Sequence, residues 1–526
     1  MYMLRICSFC LRTHKPKIGV RIGLHPHRSA SRISFDESSP DRVDGTSYFL
    51  EVNKSFSGFP SSQRQLQGSC KVQQLVAKHF SSALYTPLSE ADHVPFVLKP
   101  EIDFDGIFGD LSELEKNLDA RGHKVNVSKL ISLWGKLQKF EQEKSCIEDR
   151  RSKVNEDIKR LRKKGGAKEQ KDKLQQMGKS LREELRQINF SIASLSDEFY
   201  PAVLKLPNKL HPAVSLFFQT QPCGSMLKIL ETFGTDKEEK SDKPKEQSPN
   251  IFLTESHPMS HGGYAYLEHE AALLELALTQ WVKQQLLDQG FTPLSCPAMY
   301  KSIALESLGL DPDNSNETYA IETHENVQYL AGVSSLAFVA YFMMSVVEAS
   351  DLPYRCFTVG RSYKQHQEST YFEGLQESFQ SQRVELFGVC ENTEAASNAL
   401  FNQFLSTARG LLSLLPLHGR IVEVPSARLL PSMYRKCAIE VWIPDAGKFV
   451  EVASVSNCTD YISRRVKMRY PAIPSQKAAQ SRQRNFPHTV HCTALDTSVI
   501  LAALLPSVHQ QLPEVLKPYL PQAIPK

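Results

Sequence analysis

At 526 residues, with 41% apolar and 23% charged side chains, the chain is long enough for two or three domains and has the make-up of an ordinary soluble globular protein. A formal net charge of +4 is too small to mark the whole molecule as a nucleic-acid or membrane binder, so the placement of charge carries the information. Eleven cysteines without paired C-x-x-C spacing, apart from Cys7 and Cys10, argue against a disulfide framework or a zinc site and for reduced thiols.

Arg5, Arg12, Lys15, Lys17, Arg21, Arg28 and Arg32 precede the first acid, Asp36. Arg-rich, Ser-containing and acid-free, residues 1–35 have the composition of a mitochondrial transit peptide, which places the remaining chain in the mitochondrial matrix. A basic arm touching nucleic acid is the competing reading. Residues 36–98, rich in Ser, Gln and Pro, predict a poorly ordered lead-in. An N-terminal helical domain is expected over 99–233.

Within it, Leu133, Leu137, Phe140, Lys144, Ile147, Arg151, Val154, Ile158 and Leu161 recur four and three residues apart, a heptad seam. Gly165-Gly166 interrupts it. A second seam runs through Leu174, Met177, Leu181, Leu185, Ile188, Ile192 and Leu195. The pattern predicts an antiparallel coiled-coil arm over about 127–198, about 50 Å long at 1.5 Å per residue. Between Arg150 and Ser180 stand twelve Lys/Arg against four acids, clustered near the turn at Lys159, Arg160, Arg162, Lys163, Lys164 and Lys168. A solvated coiled-coil surface explains such a run. A local excess of +8 also suits the phosphate backbone of RNA.

Residues 234–250 (TDKEEKSDKPKEQSPN after Gly234) read as a charged linker. The segment 251–526 alternates helices with β-rich runs. Ala271–Gln289 is an amphipathic helix stopped by Gly290, and Arg355–Val359, Arg383–Val389, Arg420–Val424, Cys437–Ile443 and Lys448–Val455 read as strands. The mixture predicts an α+β domain around an antiparallel sheet. Leu330–Val347 carries no charge and approaches a spanning length, but Ser334, Ser335 and Ser345 and the missing cationic anchors fit a buried core helix; no transmembrane segment is expected. His257-Pro-Met-Ser-His261 has ligand-like spacing in a loop context, and no metal site is expected.

Several stretches, in order, resemble the class II seryl-tRNA synthetase family. They are the opening KPEIDFDGIFGDLSELEKNLDARG, the arm itself, LPNKLHPAV after it, and AALLELALTQWVKQQLLDQGFTPLSCP, which is similar to motif 1 with Pro297 at its proline. The fifth is FVEVASVSNCTDYISRRVKMRY. The resemblance covers about four-fifths of the chain. It implies a class II aminoacyl-tRNA synthetase-like fold with an N-terminal tRNA-binding arm, and dimerisation through motif 1 with Pro297 at the interface.

Position by position, the resemblance also implies a damaged site. Motif 2 reads VGRSY: Arg361 stands at the α-phosphate Arg, but Tyr363 replaces the adenine-binding Glu and cannot accept the same amine hydrogen bonds. In GLQESFQSQRVE, Glu377 stands at a phosphate-binding Arg, Phe379 at a His and Ser381 at a Phe, whereas Arg383 and Glu385 keep the basic-x-acid ending. In LAGVSS, Val333 and Ser335 replace the Thr and Glu that hold serine. In motif 3, Thr493 fits and Val499 falls at the γ-phosphate Arg; Glu451 matches the family. Losing one buried charged partner costs orders of magnitude in rate, and here four roles are changed.

The expected protein is therefore non-catalytic and needs no cofactor, with residual ATP contact at Arg361 left open. The resemblance is strongest to an inactive mitochondrial branch of the family, which implies pairing with the genuine mitochondrial seryl-tRNA synthetase as a heterodimer and binding of mitochondrial RNA or tRNA through the arm. The alternatives are an active, divergent mitochondrial serine–tRNA ligase, with Lys364 and Arg361 compensating, and an enzyme of altered chemistry.

Overall fold

The structure is a computed structural model that describes residues 100–164, 168–214, 228–234, 251–253, 263–312, 318–322, 327–363, 374–471, 484–508 and 512–521, with Leu84 and Leu98 besides. The transit peptide expected over 1–35, nearly all of the lead-in, the linker 235–250, His257, His261 and Lys364 lie outside the described residues.

Two short helices open the described chain, α1 (Phe104–Phe108) and α2 (Leu111–Arg121). Asp103 and Asp110 cap them, each accepting a bond from a backbone N–H three residues on, which satisfies a donor the helix itself cannot. The arm follows as α3 (Val127–Lys164) and α4 (Lys168–Leu204). At 38 residues α3 is about 57 Å long. Ile147 and Val154 of α3 are buried against Leu181 and Leu185 of α4. Two seam positions of the periodicity reading, Arg151 and Met177, are exposed. Met177 is 54% exposed, and the neighbouring Gly178 is half-buried. Gly178 lies four residues after Leu174 and three before Leu181, the spacing that keeps one helix face, while Met177 falls a residue off it. At the base, Leu118, Leu130, Phe199, Tyr200 and Val203 bury together beneath a stack of Trp134 on Phe199.

The second half builds β1 (Lys228–Phe233), β2 (Ile251–Leu253), β3 (Ala265–Leu267), α5 (His269–Asp288), β4 (Thr292–Leu294), β5 (Met299–Tyr300), α6 (Ser302–Ser307), β6 (Tyr319–Glu322) and β7 (Val327–Leu330). Then come α7 (Ser335–Phe342), β8 (Tyr354–Tyr363), β9 (Gln380–Cys390), α8 (Glu394–Ser413), β10 (Gly419–Glu423), β11 (Arg435–Ile443) and β12 (Lys448–Thr459). The last elements are α9 (Tyr461–Val466), β13 (Tyr470–Pro471), β14 (Arg484–Asn485), β15 (His488–Asp496) and α10 (Thr497–Val508).

Eight strands form one sheet in the order β1-β10-β11-β12-β15-β9-β8-β4. Every pair is antiparallel except β4 with β8. Helices α5, α8 and α10 pack on it through Leu274, Trp281, Leu400, Phe404, Ile500 and Leu504, the largest core. A second core joins α6, α7 and α9 around Phe338, stacked 5.1 Å from Phe387. The uncharged run Leu330–Val347 yields only the eight-residue α7, with Leu336, Phe338 and Val339 buried, and no helix among the described residues is long and apolar enough to cross a membrane.

Arg121 fastens the arm base to the sheet domain. Its guanidinium donates to Asn117 and to the carbonyls of Leu430, Asn208 and Met433, and burial lowers its pKa to about 10. A buried guanidinium with that many acceptors fixes orientation more than it adds stability.

Candidate functional site

The β8–β9 hairpin and the loop after β7 converge at one end of the sheet. Arg361 faces Gln382 and Tyr363 faces Gln380 in the ladder. The Ala331–Val333 loop lies against the end of β8, with Val333 N–H donating to the Arg361 carbonyl (2.9 Å) and Tyr363 N–H to that of Ala331 (3.0 Å). Gly332 makes this approach possible. Its φ is +67°, and a Cβ there would stand 1.9 Å from the Arg361 oxygen. The fold thus brings Val333, Ser335, Arg361 and Tyr363 into one neighbourhood. Val333 is buried, and Ser335 begins α7 behind Ser334, whose hydroxyl caps the helix.

Arg361 is engaged within the chain. Nη1 and Nη2 each donate to one carboxylate oxygen of Glu275 on α5 at 2.9 Å, and Thr497 Oγ1 donates to the same carboxylate at 3.1 Å. Such a two-pronged pair is the strong form of the contact, so a phosphate at Arg361 meets a cation already satisfied on one edge. The charge of Glu377 is likewise answered internally. Its carboxylate accepts from Lys448 Nζ at 2.8 Å, tying the turn after Gly374 to the start of β12. Glu377 is therefore not the bare anion that the sequence suggested. Phe379 packs its ring on Gly263, where a Cβ would lie 2.4 Å away, and meets Tyr264 edge-on at 5.7 Å.

The positions expected to match the family's pattern also have partners within the chain. Arg383 Nε donates to Asp496 at 2.8 Å, and Ser381 Oγ to the same carboxylate at 3.2 Å. Burial opposes the Arg383 charge, but Asp496 and Glu385 outweigh it and hold its pKa above the ordinary value. Glu385, almost wholly buried, accepts from Thr493 Oγ1 at 2.9 Å, with His491 Nε2 also 2.9 Å away. Val499 points into the main core from α10. Glu451, more exposed, pairs with Lys436 at 2.8 Å.

Elsewhere, Pro297 is exposed, and the Tyr300 hydroxyl lies between its carbonyl and that of Gly332, 2.9 Å from the latter. On the arm, Lys159 and Arg160 are exposed, with Arg160 loosely paired to Glu156 and Asp157. The backbones of Arg162, Lys163, Lys164 and Lys168 are helical; their side chains lie outside the described residues. No cluster of three or more metal-ligating side chains occurs among the described residues.

Sequence reasoning did not find Glu275, Lys448 or Asp496. Each sits in an apolar or strand-like run with no motif spacing. The one available signal was an acid inside ALLELAL, a poor place for a carboxylate without a partner.

Comparison with known proteins matches residues 102–210 to the Seryl-tRNA synthetase N-terminal domain and residues 319–507 to the tRNA synthetase class II core domain (G, H, P, S and T). The chain is 28% identical over 482 residues to the mitochondrial serine–tRNA ligase of Bos taurus, covering 87% of this chain and 90% of that one. It is 26% identical over 430 residues to the serine–tRNA synthetase-like protein Slimp of Drosophila melanogaster, covering 81% and 88%. Among solved structures, seryl-tRNA synthetase from Pyrococcus horikoshii complexed with ATP superposes with a TM-score of 0.67 at 20% identity, covering 80% of this chain and 98% of that one.

Proposed function

The chain belongs to the class II seryl-tRNA synthetase family, and we propose that within it this protein is a non-catalytic mitochondrial paralogue that pairs with the mitochondrial seryl-tRNA synthetase and binds RNA. The observation that carries this reading is the internal use of the site. Arg361 is held by Glu275 and Glu377 by Lys448, while Val333 and Val499 are buried apolar groups where serine and triphosphate need polar ones. Forming a seryl-adenylate requires preorganised cations aimed at charge that develops on the phosphates, and these pairs point elsewhere.

The partner reading rests on the motif 1 segment. Leu276 on α5 and Pro297 are exposed within that segment and Met299 on β5 just after it, apolar groups that a second subunit could cover. RNA binding rests on the charge of the arm, and a mitochondrial location on the basic, acid-free first 35 residues and the mitochondrial relatives. No cofactor is proposed.

The competing reading is an active ligase. The retained Arg361, Glu451 and Thr493, and the match to the Bos taurus ligase, favour it. Serine-dependent ATP–pyrophosphate exchange by the purified full chain separates the two. We expect no exchange above background under conditions where a mitochondrial seryl-tRNA synthetase is active; robust exchange overturns the non-catalytic reading.

A further inference from the structure

A cavity of about 470 Å³ opens between the base of the arm and the sheet domain, and it shares no lining residue with the β8–β9 site. Its arm side is aromatic and acidic. Phe104 and Trp134 lie 4.5 Å apart between ring centroids, with Tyr200 behind them and Asp103 and Asp105 alongside. Its opposite side is basic, from Arg464 and Lys467 at and just after α9, and is closed by Phe486 under the Arg464 guanidinium at 4.9 Å.

Most of these charges are spoken for. Arg464 Nε is bound to Asp460 at 2.6 Å, with Asp103 3.8 Å from its other end, and Glu101 is bound to Arg469. Two are not. The Lys467 ammonium and the Asp105 carboxylate line the same cavity from opposite sides, and neither makes a hydrogen bond or ion pair among the described residues. An anion alone would meet Asp103 and Asp105, and a cation alone would meet Arg464 and Lys467. Only a ligand carrying both signs is matched, and the Phe104–Trp134 floor adds an apolar surface for a ring. The volume suits a small molecule.

We propose that this cavity binds a free aromatic α-amino acid, its carboxylate taken by Lys467, its ammonium by Asp105 and its side chain by Phe104 and Trp134. The site spans the arm base and the sheet domain, so an occupant bridges the two. It is independent of whether the β8–β9 site is active.

The test is a titration of the full chain with L-phenylalanine, read by Trp134 fluorescence and by calorimetry. We expect saturable binding, weakened by at least about tenfold in phenylacetate, which lacks the ammonium, and in phenethylamine, which lacks the carboxylate, because each analogue leaves one charged protein group unmet. Lys467→Asn and Asp105→Asn should each weaken L-phenylalanine by a similar factor. Neither side chain has a partner among the described residues, and Asn tolerates the left-handed backbone at Lys467 (φ 54°). Trp134→Phe should abolish the fluorescence change while calorimetry still records binding. No saturable binding, binding of both analogues as tight as that of L-phenylalanine, unchanged affinity in both Asn variants, or a response to L-serine alone, which would belong to the synthetase-like cleft, each overturns the proposal.

Discussion

Glu275, Lys448 and Asp496 are single side chains that occupy the charges of Arg361, Glu377 and Arg383. Each closes its pair inside the protein. The Arg383–Asp496 pair is the most buried of these, with side-chain exposures of 15% and 5%. Arg383→Ala strands a buried carboxylate, so we expect about 3–5 kcal/mol of lost stability, read as a lower urea midpoint at an unchanged m-value. Three histidines give a pH signature. Burial is the main cause lowering His488, His123 and His211 below the ordinary 6.5, with Arg121 adding to it at His123 and Arg435 at His211. A depressed folded-state pKa means that the unfolded chain takes up protons first as pH falls. Stability should therefore be flat above about pH 6.5 and decline below it, until the folded-state values are passed. Melting temperatures from about pH 7.5 to 5.5 check this, and His488→Gln should reduce the decline.

The arm is the element whose function depends least on the site. Its seam is apolar through Ile147, Val154, Leu181 and Leu185, and its outer faces carry the charge. Neutralising Lys159, Arg160, Arg162, Lys163 and Lys164 together removes charge without touching those four seam residues. RNA affinity should fall, and the slope of log K against log salt should flatten by about 0.7–0.9 for each phosphate that the arm no longer neutralises, as measured by filter binding at several salt concentrations. An unchanged slope would place the RNA-binding surface elsewhere. Met177 is exposed because it falls one residue off the four-and-three alternation, which runs from Leu174 through Gly178 to Leu181.

For the whole molecule, the prediction concerns assembly. Co-expressed with the mitochondrial seryl-tRNA synthetase, the protein should form a one-to-one complex, and Leu276→Asp, which puts a charge on the exposed face of α5, should weaken it in sedimentation experiments. Recovery of homodimers alone would remove the proposed partner. A partner that binds only the folded synthetase stabilises it by mass action, which gives such a complex a role without catalysis.

Local patterns were enough to anticipate the two arm helices, helix α5 and strands β8 to β12, though not the nine-residue β15, because heptad spacing and β-rich runs are local properties of the chain. Motif wording added the family, and with it the expectation that Val333, Ser335, Tyr363, Glu377 and Val499 depart from its pattern. Strand order, the short β1–β7 elements and the approach of Gly332 to β8 were decided only in three dimensions. So were the partners of Arg361, Glu377 and Arg383, which lie 86, 71 and 113 residues away. Electrostatic pairing depends on distance in space, and no local pattern in a sequence records which distant residue will end up within reach of a given charge.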